Sequence, residues 1–168
     1  MATKGNTELN KGIPQIEDAF VVIVKTEWNA HLIDQLEAGC KRILDEQGVA
    51  NQTYVVPGAF EIPFAIKAIH SKAGRTPDAF VALGAVIKGD TPHFDYVCNG
   101  VTDGIRQLNI VLNVPTIYGI LTVNNEEQAL ERIGGIHGHK GEEAAVTAIK
   151  MIALNKSLDG NKRKIGFT

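Results

Sequence analysis

The chain has 168 residues, a mass of 18.1 kDa and a formal net charge of -2. Hydrophobic residues make up 44% and charged residues 21%, which suits one folded domain and argues against a wholly disordered chain. No long basic run is present, so nucleic acid is not an expected partner. No apolar stretch approaches the roughly 20 residues of a membrane span, and the polar segment Met1 to Gln15 has no signal-peptide core. A cytoplasmic protein is expected. Cys40 and Cys98 lie far apart on apolar-patterned stretches and form no CxxC pair, so buried, reduced thiols are expected rather than a disulfide or a metal site.

The chain reads as alternating strands and helices. Phe20–Val24 is a continuous apolar run rich in β-branched residues, as in a strand buried on both faces. Ile33, Leu36, Cys40, Ile43 and Leu44 recur at three and four, predicting a helix from about Ala30 to Gln47 that Gly48 ends. Thr53–Val56 is a second strand, stopped by Pro57-Gly58. Ile62, Ala65, Ile66 and Ile69 mark a second helix that starts near Glu61. Ala79–Leu83 is a third strand, which Ala85-Val86-Ile87 could extend into a loop from Gly84 to Pro92. Val97, Val101, Ile105, Leu108 and Leu112 define a third helix, and Thr116–Ile120 a fourth strand. A short helix from about Glu126 to Ile133, a Gly/His-rich link from Gly134 to Gly141 and a last helix through Ala145, Ala148, Ile149 and Ile152 complete the pattern. Such alternation predicts a parallel sheet with helices on both faces and a ligand site at the carboxyl ends of the strands. Residues 1–18 form a tail or a strand that needs a partner, 19–157 the domain, and 158–168 a C-terminal tail.

The loops after the strands carry the chemistry. Trp28, the only tryptophan, follows the first strand; it is either a core anchor or a platform for a flat heterocycle. Ala59-Phe60-Glu61 follows the second, where exposed backbone groups could bind a substrate and Glu61 could equally complement a helix dipole. Gly89 to Phe94 leads into a helix N-terminus, where free N–H groups and the dipole suit an anion. Asp90 or Thr91 could cap that helix, Pro92 fits its first position, and His93 lies beside the anion site. Tyr118 is expected at the same edge. Arg132 could complement its own helix or clamp a phosphate. His137-Gly138-His139 lacks a third ligand at sensible spacing, so no metal is expected.

Taken together, these segments resemble the lumazine synthase family over about residues 20–155. The resemblance rests on Trp28-Asn29, on Pro57-Gly58-Ala59-Phe60-Glu61-Ile62-Pro63, on Gly84 to Val97, and on Leu121-Thr122 through Glu127-Gln128-Ala129 to Glu131-Arg132. It implies a flavodoxin-like, three-layer α/β sandwich around a four-stranded parallel sheet. It also implies condensation of 5-amino-6-(D-ribitylamino)uracil with 3,4-dihydroxy-2-butanone 4-phosphate, with no cofactor. On this resemblance Trp28, Ala59, Phe60, Glu61, Ala85, Val86, Ile87 and Tyr118 hold the pyrimidine and its ribityl chain. Asp90, Thr91 and Arg132 hold the phosphate, His93 moves protons, and Lys140 is a possible accessory. Tyr118, Ile136 and His139 depart from the usual residues, Tyr118 adding a hydroxyl where Phe is common.

The resemblance also implies an assembly of identical chains, in which the N-terminal segment joins a neighbour's sheet, five chains close a ring and each site lies between chains. The short link from Gly134 to Gly141 favours a further 60-chain shell, and riboflavin synthase is a possible partner. Two other readings stay open. A flavin- or nucleotide-binding module should carry a phosphate loop after the first strand, yet Lys25 to Asn29 contains no Gly or Ser. A shell-forming family member that binds flavin or lumazine with weak catalysis would show the same motifs.

Overall fold

A computed structural model describes the backbone of residues 11–162 and the side chains of residues 11–158. In chain order the elements are β1 (Phe20–Thr26), α1 (Ala30–Glu46), β2 (Ala50–Val56), a 3-10 turn (Ala59–Glu61), α2 (Ile62–Lys72), β3 (Ala79–Ile87), α3 (His93–Val111), β4 (Thr116–Val123), α4 (Glu126–Leu130), β5 (Ile133–Gly135), β6 (Gly138–His139) and α5 (Lys140–Lys162). The sheet order is β2-β1-β3-β4 and all three pairings are parallel. The three-layer α/β architecture expected from the alternation is therefore present.

Two cores follow from the two faces of the sheet. Side chains alternate along a strand, so the apolar runs of β1 and β3 send residues to both sides. Val21, Ile23, Val81 and Leu83 pack with Leu36, Leu44, Ile149 and Ile152 of α1 and α5. Val22, Val24, Phe80 and Ala82 pack with Ile62, Ile66, Val101 and Ile105 of α2 and α3. Glycines set the closest helix contacts. A Cβ at Gly39 would meet the His139 ring, and one at Gly141 the Leu36 carbonyl, so α1 and the start of α5 approach within backbone range. On the other face Phe60 lies on Gly100 and Pro63 on Gly104.

Element ends differ from the sequence reading where polar residues hide a regular backbone. β2 begins at Ala50, not Thr53, because Asn51 and Gln52 occupy a sheet edge where main-chain pairing to β1 suffices. β3 continues through Gly84 to Ile87 because β4 pairs with it as far as Val123; the segment Gly84–Ile87 is strand, not loop. α3 starts at His93, with Pro92 as its N-cap and no side chain capping it, so neither Asp90 nor Thr91 takes the capping role. α4 stops at Leu130, and the Gly/His link folds into the small antiparallel β5–β6 hairpin, with Gly134 and Gly138 at positive φ. α5 runs to Lys162, so residues 158–162 are helix rather than tail. Ile13 and Ile16 pack against the α1/α5 core. Residues 1–10, most of the expected exchanged strand, lie outside the described residues.

Both cysteines are free. Cys40 is buried on α1, and burial pushes its thiol up to about 12. Cys98 is only half-buried on α3, less enclosed than its apolar surroundings in sequence suggested.

A charged cluster ties α1 to the sheet edge. Lys25 binds both Asp34 and Glu37, Thr53 donates to Glu37 at 2.6 Å, and Lys41 stands 3.3 Å from it. Burial would raise the Glu37 pKa, but hydrogen bonds from Lys25, Thr53 and Lys41 outweigh it and hold the carboxyl below its ordinary 4.5. A carboxyl depressed on folding stabilises the fold above its unfolded pKa, and that contribution fades as pH falls through the folded value. Glu37→Gln is therefore expected to lower the Tm at pH 7 and to flatten its dependence on pH below about 4.5. Parallel Tm–pH curves for the two proteins would refute this.

Candidate active site

The sheet order makes β1 and β3 neighbours whose connections leave in opposite directions. In an open parallel sheet the crevice outside the carboxyl ends at such a switch point is the expected ligand site. A cavity of about 840 Å³ lies there. Its lining draws on three loops: Trp28 and Asn29 after β1, Pro57 to Glu61 after β2, and Ala85 to Ile87, Gly89, Thr91, His93 and Phe94 after β3. The sequence-predicted residues Trp28, Ala59, Phe60, Glu61, Ala85, Val86, Ile87, Thr91 and His93 all meet in this one cavity.

Local chemistry explains the placement. Gly58 is extended, and a Cβ there would come 2.9 Å from Glu61 Oε2, so glycine leaves room for that carboxylate. Ala59 is buried beneath the pocket while Phe60 stays largely exposed. Trp28 is 73% exposed, which excludes the core-anchor alternative within this chain. Its main chain is held: Glu27 N–H donates to Val56 O at 2.8 Å and Trp28 N–H to Pro57 O at 3.2 Å. His93 opens α3, its side chain exposed at the pocket, where the positive end of the helix dipole faces the cavity. Asp90 is exposed between two lining residues and is not itself part of the wall.

Three expected residues lie elsewhere on the chain. Tyr118, Arg132 and Lys140 line a second groove of about 830 Å³ along β4, the far edge strand of the sheet. Tyr118 is 40% exposed, and its hydroxyl lies 3.1 Å from Thr102 Oγ1. That contact supplies the partner its added hydroxyl needs. Arg132 donates to the Gln128 carbonyl at 2.7 Å, which orients the guanidinium across the end of α4. Lys140 forms two 2.8 Å contacts with Glu143. The expectation that Tyr118 shares an edge with Trp28 and His93 within one chain is thus corrected. Tyr118 belongs to an outer strand, two positions from β1, and a side chain there cannot reach a crevice over β1 and β3.

The sequence reading missed four wall residues: Thr26, Phe94, Tyr96 and, as a site residue in its own right, Asn29. Asn29 has a left-handed backbone, φ 60°, and donates to the Ala85 carbonyl at 2.9 Å. Asparagine after a strand is a recognisable turn signal, since it tolerates that conformation. Thr26 looked like one more β-branched strand residue.

A parallel α/β sandwich with an aromatic crevice at its strand ends and a histidine at a helix N-terminus defines a small-molecule-binding α/β protein of the doubly wound kind. Residues 18–156 match the family model described as 6,7-dimethyl-8-ribityllumazine synthase, and the chain belongs to that family. A protein of that name from Parabacteroides distasonis is 43% identical over 143 residues, covering 83% of this chain and 88% of the relative. One from Bacteroides fragilis is 46% identical over 140 residues, covering 82% and 96%, and one from Christiangramia forsetii 44% over 162 residues, covering 93% and 96%.

Proposed function

We propose that this chain catalyses formation of 6,7-dimethyl-8-ribityllumazine from 5-amino-6-(D-ribitylamino)uracil and 3,4-dihydroxy-2-butanone 4-phosphate, in riboflavin biosynthesis. The observation that carries this is the convergence of Trp28, the Ala59–Glu61 turn, the Ala85–Ile87 strand end and His93 around one cavity. The aromatic faces of Trp28 and Phe60 suit a flat pyrimidine. Main-chain groups of the Ala59–Glu61 turn and the Ala85–Ile87 strand end suit its polar edge and ribityl hydroxyls. The start of α3, with Thr91 and Asp90 beside it, suits the phosphate.

The chemistry then needs little beyond placement and proton transfer. The 5-amine of the pyrimidine attacks the ketone and an imine forms with loss of water. Inorganic phosphate leaves, and the ribityl-bearing nitrogen closes the ring with loss of a second water. Holding the two molecules together removes most of the entropic barrier. His93 serves the proton transfers, because imidazole both gives and takes protons near neutral pH. Mixing the purified protein with both substrates and following lumazine absorbance and fluorescence tests the activity; no product above the uncatalysed rate would sink it.

The split of the expected residues between two cavities supports an assembly in which the β4 edge of one chain meets the crevice of the next. Tyr118, Arg132 and Lys140 then complete a neighbour's site, a head-to-tail contact that closes into a ring. A pentamer follows, and the short β5–β6 link favours a 60-chain shell. Cytoplasmic residence fits this activity, and among the described residues no helix is long and apolar enough to cross a membrane. Light scattering at neutral pH is expected to give at least a ring-sized mass. A mass near 18.1 kDa would defeat the shared site, whereas a ring alone would defeat only the shell.

A further inference from the structure

Trp28 stands at the cavity with its side chain largely in solvent, so the indole has little packing to fix its direction. What fixes it must act through the backbone. Thr26, the last residue of β1, is 2% exposed, one of two buried polar residues among those described. Its hydroxyl donates to the Trp28 carbonyl at 3.1 Å. On the other side of the same peptide, Asn29 adopts its left-handed conformation and binds the Ala85 carbonyl of β3. The Trp28 N–H is held by Pro57 O. The tryptophan backbone is therefore tied to its own strand, to the loop after β2 and to the end of β3. Of these ties the Thr26 hydroxyl is the one made by a side chain to Trp28 itself.

We infer that Thr26 is a positioning residue: its buried hydroxyl holds the Trp28 carbonyl so that the indole stands over the cavity as a platform for the pyrimidine. This rests on the proposed role of Trp28. The methyl group of Thr26 has a separate, structural task, since it lies against Gly84, where an added Cβ would come 3.4 Å from Thr26 Cγ2. Valine keeps that bulk and removes the donor; serine keeps the donor and removes the methyl. Function and packing can thus be separated at one position.

Two measurements on the full-length assembly test the inference. Trp28 is the only tryptophan, so emission anisotropy reports its motion directly in ligand-free protein. Thr26→Val should increase the fast depolarisation of Trp28, and Thr26→Ser should restore the wild-type decay. In steady-state assays Thr26→Val should raise the KM for the pyrimidine about 5-fold, the fold-change of one ordinary hydrogen bond, while the KM for the butanone phosphate moves less than 2-fold. Unchanged anisotropy in Thr26→Val would overturn the tether. A looser Trp28 with an unchanged pyrimidine KM would overturn its service to the substrate, and equal rises in both KM values without rescue by serine would make Thr26 a packing residue. Failure of the wild-type protein to make lumazine would instead remove the reading of the site, and the anisotropy would still judge the tether.

Discussion

Replacing His93 by alanine is expected to lower kcat about 100-fold, the low end of the roughly 10²–10⁴ that a general acid–base residue supplies. His93 is exposed at the first position of α3, on the wall of the cavity that also holds Trp28 and Phe60. Its loss removes a proton carrier without disturbing a core. The low end applies because an amine and a ketone condense without help, and the site still brings them together. The KM for the pyrimidine should change little, since stacking and main-chain contacts remain. Assays from pH 6 to 8 check this; an unchanged kcat across that range would remove His93 from the mechanism. His93→Gln, which keeps a hydrogen-bonding side chain but cannot carry the proton, should lose nearly as much.

Arg132→Ala should raise the KM for the butanone phosphate roughly 10–100-fold, the loss of one charge-assisted contact of about 1.5–3 kcal/mol. The KM for the pyrimidine should move far less. Arg132 is partly buried and pinned to the Gln128 carbonyl, so its fork is pre-oriented before any substrate arrives. It also lies on a different groove from His93, which makes a second expectation. Co-assembly of His93→Ala chains with Arg132→Ala chains should recover some activity, because a shared site formed by one chain's crevice and the other's β4 edge would be intact. Equal rises in both KM values would mark Arg132 as structural. A lack of any recovery in mixed assemblies would place Arg132 and His93 in one chain's site.

The sequence by itself determined the layer architecture and one half of the site. Runs such as Phe20–Val24 and Ala79–Leu83 are apolar at every position because both faces of a central parallel strand are covered, and that requirement is visible residue by residue. The loops after β1, β2 and β3 were legible for the same reason. Parallel strands deliver their following loops to one edge, so Trp28, Phe60 and His93 converge whatever the details. The amphipathic spacing of α1 and α3 was equally plain. Element ends were not, because β2 is a polar edge strand, and because pairing between β3 and β4 carries the strand through Gly84.

Only the tertiary structure decided which residues stand apart. Tyr118 and Arg132 also follow from loops and strand ends, yet the order β2-β1-β3-β4 moves them to the outer edge, away from the crevice. Strand order depends on long-range pairing, which no local pattern encodes. The glycines at 39, 100, 104 and 141 are of the same kind. In the chain they look like weak points of helices, and in the fold they are where His139, Phe60, Pro63 and the Leu36 carbonyl come within contact of a neighbouring backbone. Thr26 is the plainest case. Its β-branched side chain fits a strand, so nothing in the sequence separates its methyl from its hydroxyl. The tertiary structure does, by burying both and aiming the hydroxyl at the one carbonyl that directs Trp28.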